Sequence, residues 1–457
     1  MHGRRLTGLA AAVLGAGAAP PASTAPVDVF RPAESADALL VKESGSWDRH
    51  LHDALGLPAW LDLAVEQRTR FEHLAGPFRP GEPGSQTQYP QRTRLRLGVD
   101  GPGPLRFLAE LQDARTHADG PRDFTGGEID EIDVLQLFLA ATGRDLLGTG
   151  LRGDVHVGRL TLDVASRRLV ARNSFRNTTN AFDGLHVQVG DGAAWRVRAF
   201  ATRPVVIEPG PFDDESGSGQ RFWGVAWEDT RLGWLNLDAF YLGLKDRTGG
   251  RDYTTLGARG FRAPRARQLD WEVELMGQLG KRGARDQRAF AGHAELGFTF
   301  AAPSSPRLAA QLDYASGSAA PDGGESGTFD PLFGARRFDL DPTGIYGPFR
   351  RSNIVSPGLR LVVSPLPKLK AQLKVRHWEL AQARDAFAGT GLQDPTGRAG
   401  RNLGQDVELQ VQWTPLAWLV LDAGYDHWFK GSYLERVPGA PSSRDSDYVY
   451  VSTQVRF

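Results

Sequence analysis

From Trp60 to the last residue, apolar and polar side chains take turns along the chain. In 61–72, Leu61, Leu63, Val65, Thr69 and Phe71 fall on one face, with Asp62, Glu66, Arg68, Arg70 and Glu72 on the other. A period of two is the mark of an extended strand, whose successive side chains point to opposite faces. The pattern recurs near 61–72, 91–100, 105–115, 131–140, 154–163, 182–190, 194–203, 220–228 and 234–244. It continues near 252–262, 269–279, 288–300, 307–316, 353–364, 369–380, 403–414, 418–428 and 447–457. Leu269, Trp271, Val273 and Leu275 oppose Asp270, Glu272, Glu274 and Gln278, and Val407, Leu409, Val411 and Trp413 oppose Asp406, Glu408, Gln410 and Gln412. The segments at 131–140, 154–163 and 220–228 alternate less cleanly, so about eighteen strands are expected, with roughly sixteen as the lower count. Most are close to the roughly 9–11 residues a tilted strand needs to cross a bilayer.

A soluble sheet alternates in the same way, so the connections carry the distinction. Alternate links are short and turn-rich: Gly101-Pro102-Gly103-Pro104, Gly190 to Ala193, Pro365 to Lys368, and Thr414 to Ala417. The links between them, 73–90, 204–219, 317–352, 381–402 and 429–446, are longer and polar. Outer-membrane barrels have this asymmetry, with tight periplasmic turns and long extracellular loops. Trp60, Trp195, Trp234, Phe298, Phe300, Trp413 and Trp418 gather at the short-turn ends, as an interfacial aromatic girdle does. In the last strand Val449, Val451, Val455 and Phe457 oppose Tyr448, Tyr450, Ser452, Gln454 and Arg456. An alternating strand ending in Phe457 resembles the signal by which the barrel assembly machinery receives its substrates. The expected fold is all-β: a transmembrane antiparallel barrel over 59–457 in a bacterial outer membrane, in contact with its lipid.

The N-terminus agrees with that destination. Arg4 and Arg5 precede an apolar run from Leu6 to Leu14, then small residues with Ala16-Gly17-Ala18 as one cleavage site and Ala25 as a later limit. Residues 1–25 therefore read as a secretory signal. Residues 26–58 read as a periplasmic lead-in with one short helix around Trp47 to Leu55.

Composition narrows the function. The chain has 457 residues, 54 basic against 54 acidic, and no cysteine, which excludes disulfides, thiolate metal sites and a cysteine nucleophile. Zero net charge argues against nucleic acid as a partner. The 54 Gly and 29 Pro suit turns and weaken helices. No H-E-x-x-H, G-x-S-x-G or phosphate-loop pattern occurs, so no catalytic residue or cofactor is expected. His50 and His52 lack zinc spacing. Asp213-Asp214-Glu215 and the stretch from Asp322 to Asp330 read as solvated acidic loops rather than calcium sites, since neither has EF-hand spacing.

Several short stretches, in order, resemble the alginate export family of 18-stranded outer-membrane porins. They are Leu57-Pro58 with Glu66-Gln67-Arg68-Thr69-Arg70-Phe71-Glu72, then Arg92-Thr93-Arg94-Leu95-Arg96 and Leu111-Gln112-Asp113-Ala114-Arg115. Val157-Gly158-Arg159, Arg168-Leu169-Val170 and Phe182-Asp183-Gly184 follow. Gly327-Thr328-Phe329-Asp330-Pro331-Leu332-Phe333 and Ala383-Arg384-Asp385-Ala386 complete the set. The resemblance implies an anionic, alginate-like polysaccharide passing through a basic lumen, with periplasmic export partners.

Strand parity supplies candidates for that lumen: Arg68, Arg70, Arg92, Arg94, Arg96, Arg106, Arg196, Arg198, Arg360, Lys370, Lys374 and Arg376. Each alternates with lipid-compatible residues, and a guanidinium against lipid costs roughly 2–4 kcal/mol at mid-depth, so these groups face inward. Arg159 shares parity with Val157 and joins them only through the resemblance. Arginine forks match carboxylates, which suits a uronate chain. The alternative is pairing with inward acids, for which Asp62, Glu66, Glu72, Glu110, Asp270, Glu272, Glu274, Asp406, Glu408, Asp422 and Asp426 are at hand. A general or oligosaccharide-uptake porin is the competing function. A barrel-borne enzyme is more remote, because His186 and His293 lie on distant strands, and so is a structural adhesin.

Overall fold

The computed structural model describes residues 48–457 apart from 121–123, 144, 192–193, 322 and 442–443; the expected signal and most of the lead-in lie outside the described residues. The alternating segments form eighteen long strands. The first nine are β1 (Leu61–Ala75), β2 (Ser85–Asp100), β3 (Leu105–Ala118), β4 (Asp130–Gly143), β5 (Arg152–Leu160), β6 (Phe182–Gly190), β7 (Trp195–Val206), β8 (Gln220–Asp229) and β9 (Asn236–Asp246). The rest are β10 (Arg251–Arg262), β11 (Leu269–Arg282), β12 (Arg285–Thr299), β13 (Arg307–Ala315), β14 (Ile354–Leu366), β15 (Leu369–Glu379), β16 (Asn402–Leu416), β17 (Leu419–Lys430) and β18 (Ser446–Arg456). The three less regular segments are β4, β5 and β8. A helix, α1 (Asp48–Leu55), precedes the barrel where the sequence suggests one.

Every strand pairs antiparallel with its sequence neighbours, and β18 pairs with β1 from Glu66↔Arg456 to Ala75↔Asp447. The ring is closed. At the seam the Val65 and Phe457 amides each donate to the other's carbonyl at 2.9 Å, and the Phe457 ring stacks on Trp418 at 5.9 Å. Closure leaves no strand edge to be satisfied by lipid. Among the described residues no helix is long and apolar enough to cross a membrane; the strands do the spanning.

Burial runs opposite to that of a soluble protein. On β11, Leu275 is 65% exposed and Glu274 is 0% exposed. The apolar face of each strand makes the outer wall, and the polar face turns inward.

The short connections lie on one side and the long ones on the other, apart from tight hairpins at 247–250 and 283–284 on the long side. Two of the long connections, 161–181 and 316–353, do not stay outside. They fold into the barrel, where most of their residues are buried, and meet each other. Val170 bridges Phe333, the Phe333 amide donates to Leu169 O at 2.9 Å, and the Ala171 amide donates to Phe333 O at 3.1 Å. Segment 161–181 is not among the long links that the sequence singles out. Its Leu162, Val164, Leu169, Val170 and Phe175 resemble strand residues, yet they pack inside the lumen. Aromatic groups of the wall receive the loops: Phe349 stacks on Trp378 at 3.9 Å, and Tyr346 on Tyr448 at 5.0 Å.

Ion pairs hold the loops in place. Arg168 reaches Glu274 at 2.6 Å and Asp339 at 2.7 Å, and also pairs with Glu272. Arg351 shares Asp339 at 2.6 Å and donates to Arg168 O at 3.3 Å. Removing one partner of such a buried group leaves charges stranded, at a cost of roughly 3–5 kcal/mol.

Two outcomes are expected. Deleting Phe457 removes two seam hydrogen bonds and one ring contact, about 2–3 kcal/mol together. The heat-modifiable barrel should then convert to the unfolded form at lower temperature on a gel, and an unchanged transition would remove the seam from the account of stability. Arg168→Gln should leave the barrel folded but loosen both inward loops. The check is faster protease cleavage within 161–181 or 316–353, together with higher single-channel conductance.

Candidate functional site

Strand parity brings the first basic group together. In the β1–β2 register Arg68 faces Arg92 and Glu66 faces Arg94, so three guanidinium groups crowd one patch of inner wall. They point at loop 161–181. Arg68 donates to Ser174 O at 2.6 Å and to Asn177 Oδ1 at 2.9 Å, and Arg92 donates to Ser174 O at 3.0 Å. Arg92 also pairs with Glu66 at 2.8 Å, and Arg94 donates to Thr179 Oγ1 at 2.5 Å. Arg70 donates to Phe175 O at 2.7 Å, lies 4.3 Å over the Phe175 ring and pairs with Glu72 at 2.5 Å. Carbonyl oxygens are good partners for buried cations because they bring no further charge to desolvate.

Further basic groups lie to either side around the ring, Lys374 and Arg376 on β15 and Arg198 on β7. Arg376 pairs with Asp313 at 2.6 Å and donates to Asp339 O at 2.8 Å, while Lys374 pairs with Glu408 and donates to Leu340 O. Arg198 donates to Asp163 O at 2.7 Å and pairs with Glu228. Arg68, Arg70, Arg92, Arg94, Arg198, Lys374 and Arg376 are thus all but sealed from water by the loops and by inward acids.

Five other candidates remain half-buried. Arg106 pairs with Asp62 at 3.0 Å, Arg196 bonds Glu228 at 2.6 Å, Arg360 lies 3.6 Å from Glu295, and Arg96 stands opposite Glu110. Arg96, Arg106 and Arg196 lie within five residues of the short-turn ends of their strands. Lys370 is half-buried opposite Gln412. Arg159 departs from the set. It forks onto Asp183 at 2.9 and 3.2 Å and lines an outer groove of about 770 Å³ with Leu137, Val157, Leu185 and Phe212. Its outward parity with Val157 is the reason.

The loops add cations that strand parity has no means of finding. Arg79 donates to Ile345 O at 3.0 Å and Tyr346 O at 2.8 Å, and Arg336 donates to Gly347 O at 3.2 Å and Phe349 O at 2.8 Å. Both therefore flank the segment that ends at exposed Arg350. Burial pushes the Arg336 guanidinium down to about 10; Asp341 opposes this, while Arg350, Arg79 and Arg176 add to it. Burial is the largest cause, and the other three arginines of this cluster add less; Arg79 also pairs with Glu82 at 2.8 Å. Only convergence of 76–84, 161–181 and 316–353 assembles the cluster, so no local signal was available.

Histidines that the sequence leaves apart find neighbours. His186 stacks on His156 across β5 and β6, with 3.1 Å between their Nδ1 atoms, and His293 Nδ1 lies 2.9 Å from Asp313. The second pair belongs to the ion-pair system that holds the loops.

Comparison with known proteins supports the geometry. The family model described as alginate export matches residues 59–446. No curated protein matches the chain. Among solved structures, Acinetobacter baumannii OccAB3 is 11% identical with a TM-score of 0.59, covering 88% of this chain and 100% of that one. Pseudomonas aeruginosa OccD3 (OpdP) is 11% identical with a TM-score of 0.57, covering 87% and 91%. The outer membrane protein OpdK of Pseudomonas aeruginosa is 13% identical with a TM-score of 0.56, covering 87% and 98%. At such identities these structures speak for the fold alone. With a closed eighteen-strand barrel, a polar interior and a family match over most of its length, the chain belongs to the alginate export family and is a channel of the bacterial outer membrane.

Proposed function

We propose that this channel passes an anionic, uronate-bearing polysaccharide of the alginate type, or its oligosaccharides, and carries out no catalysis. The carrying observation is the basic cluster that the loops assemble: Arg79 and Arg336 hold carbonyls of 345–349, and Arg350, Arg79 and Arg176 repel the Arg336 charge, with Asp341 opposing and Glu82 pairing Arg79 at 2.8 Å. A carboxylate arriving there relieves that repulsion, and the guanidinium fork offers it two parallel N–H···O bonds. Half-buried Arg96, Arg106, Arg196 and Arg360 continue the path along the wall. A sugar acid then exchanges one weak partner for the next, which conduction requires, since a single tight site would hold the chain. Diffusion through a pore follows the gradient, so the same path serves export and uptake. The sealed arginines of β1 and β2 position the loop that shapes this path.

Single-channel recording in a planar bilayer tests the reading. The wild-type channel should prefer anions and be blocked by polymannuronate but not by uncharged dextran. Replacing the two more loosely held members, Arg176→Gln with Arg350→Glu, should weaken the polymannuronate block about tenfold and reduce anion preference, as expected for charges that set lumen selectivity. Unchanged block and selectivity in that variant would leave a general porin as the better description.

A further inference from the structure

Three carboxylates meet at the long-loop rim, where β4 begins. Asp130 and Asp133 come from β4 and Asp214 from the connection 207–219, and one oxygen of each lies within 4.8 Å of the others. In a regular strand, residues three apart point to opposite faces. Here the pairing with β3 steps from Gln112↔Asp133 to Ala114↔Asp130, two residues against three, so β4 carries one extra residue between its aspartates. That bulge turns both carboxylates toward one point. Segment 209–214 is laid alongside by backbone bonds: the Phe212 amide donates to Ile132 O at 3.2 Å and the Glu131 amide to Pro209 O at 3.2 Å. The Asp214 amide donates to Asp133 Oδ2 at 3.0 Å.

The partners present do not use up these oxygens. Asp130 is 3% exposed; its Oδ2 accepts from Gln112 at 3.0 Å, while its buried Oδ1 has no hydrogen-bond partner among the described residues. Asp133 Oδ1 accepts from the Val134 amide at 2.5 Å and lies 3.7 Å from Arg159 Nη1. That arginine is already committed to Asp183 at 2.9 Å. Asp214 Oδ1 accepts from the Glu208 amide at 2.9 Å. Arg176 acts on Asp130 only through its charge. Negative charge at the cluster thus exceeds the positive charge facing it, and a buried carboxylate oxygen is left without the bond that burial demands.

We propose that Asp130, Asp133 and Asp214 bind a divalent cation that favours oxygen, of the calcium type, clipping 207–219 onto the barrel rim. The donor set holds no nitrogen or sulfur, which favours hard cations over zinc or copper. Calcium takes six to eight oxygens, so backbone carbonyls and water would complete the shell. The site adjoins the basic cluster through Arg176, whose charge acts on Asp130, but its test reads Ca²⁺ binding and not conduction, so this inference and the proposed substrate fail separately.

Protein purified in detergent, stripped with EDTA and freed of lipopolysaccharide, provides the test. Titration calorimetry with Ca²⁺ alone should give one site, with Mg²⁺ about tenfold weaker because it resists irregular shells. Ca²⁺ should also slow protease cleavage within 207–219. Asp214→Asn, on the loop and tolerable to the fold, should weaken Ca²⁺ binding about tenfold or more by losing one charged ligand. Asp130→Asn should do the same, and Asp213→Asn should not, because Asp213 turns instead to the Gly210 amide at 3.0 Å. No Ca²⁺ binding by the wild-type protein up to about 10 mM, well above the range of extracellular sites, would overturn the proposal. So would equal affinity in Asp214→Asn.

Discussion

A backbone amide facing lipid has no water to bond, so a sheet in a membrane must close on itself. The β1–β18 seam meets that demand, and the rest of the molecule follows from it. Once the ring is closed, the pleat sends every second side chain inward, and the outward set must be apolar. The inward set is then free to be charged, at depths where charge on the outer face is costly. Eighteen strands enclose more space than their own inward side chains occupy. The two longest connections that enter it, 161–181 and 316–353, fill part of that space.

Filling the lumen turns a wet wall into a protein interior, and there an unpaired charge is expensive. The arginines of β1 and β2 are answered by backbone carbonyls of 174–176, and Arg168 by three carboxylates. Buried pairs of this kind add little net stability, because desolvation offsets their attraction. Their worth lies in position: a loop displaced by one residue would strand several charges at once. The lumen charges thus divide into those that the loops seal and those that stay half-buried along the wall.

The family stretches gain meaning from the same geometry. Arg168-Leu169-Val170 and the stretch ending at Phe333 are far apart in sequence, with 163 positions from Val170 to Phe333, yet they bridge in the lumen. Asp385 accepts from the Ser318 amide at 2.7 Å and from Thr328 Oγ1 at 2.5 Å, tying 380–401 to 316–353. Gly158 stands opposite Gly184 beside the Arg159–Asp183 pair. Gly158 has φ of +137°, and a Cβ there would lie 2.2 Å from Leu137 O, so the close approach of β4 and β5 requires glycine.

The barrel was legible in the sequence because its cause is local. A period of two, turn residues at alternate links and a polar parity are written residue by residue, and they sufficed for strand number, direction and the inward face of Arg68, Arg92 and Arg376. Even the outward parity of Arg159 could be read beside Val157. What those inward groups touch was not legible. Whether Arg68 meets water or Ser174 O depends on where a loop more than a hundred residues away comes to rest. The clustering of Arg79, Arg176, Arg336 and Arg350, and of Asp130, Asp133 and Asp214, is decided in the same way. Alternation records only which side of a sheet a residue faces, whereas the folding of loops into the lumen depends on long-range packing and charge pairing, which no local period encodes.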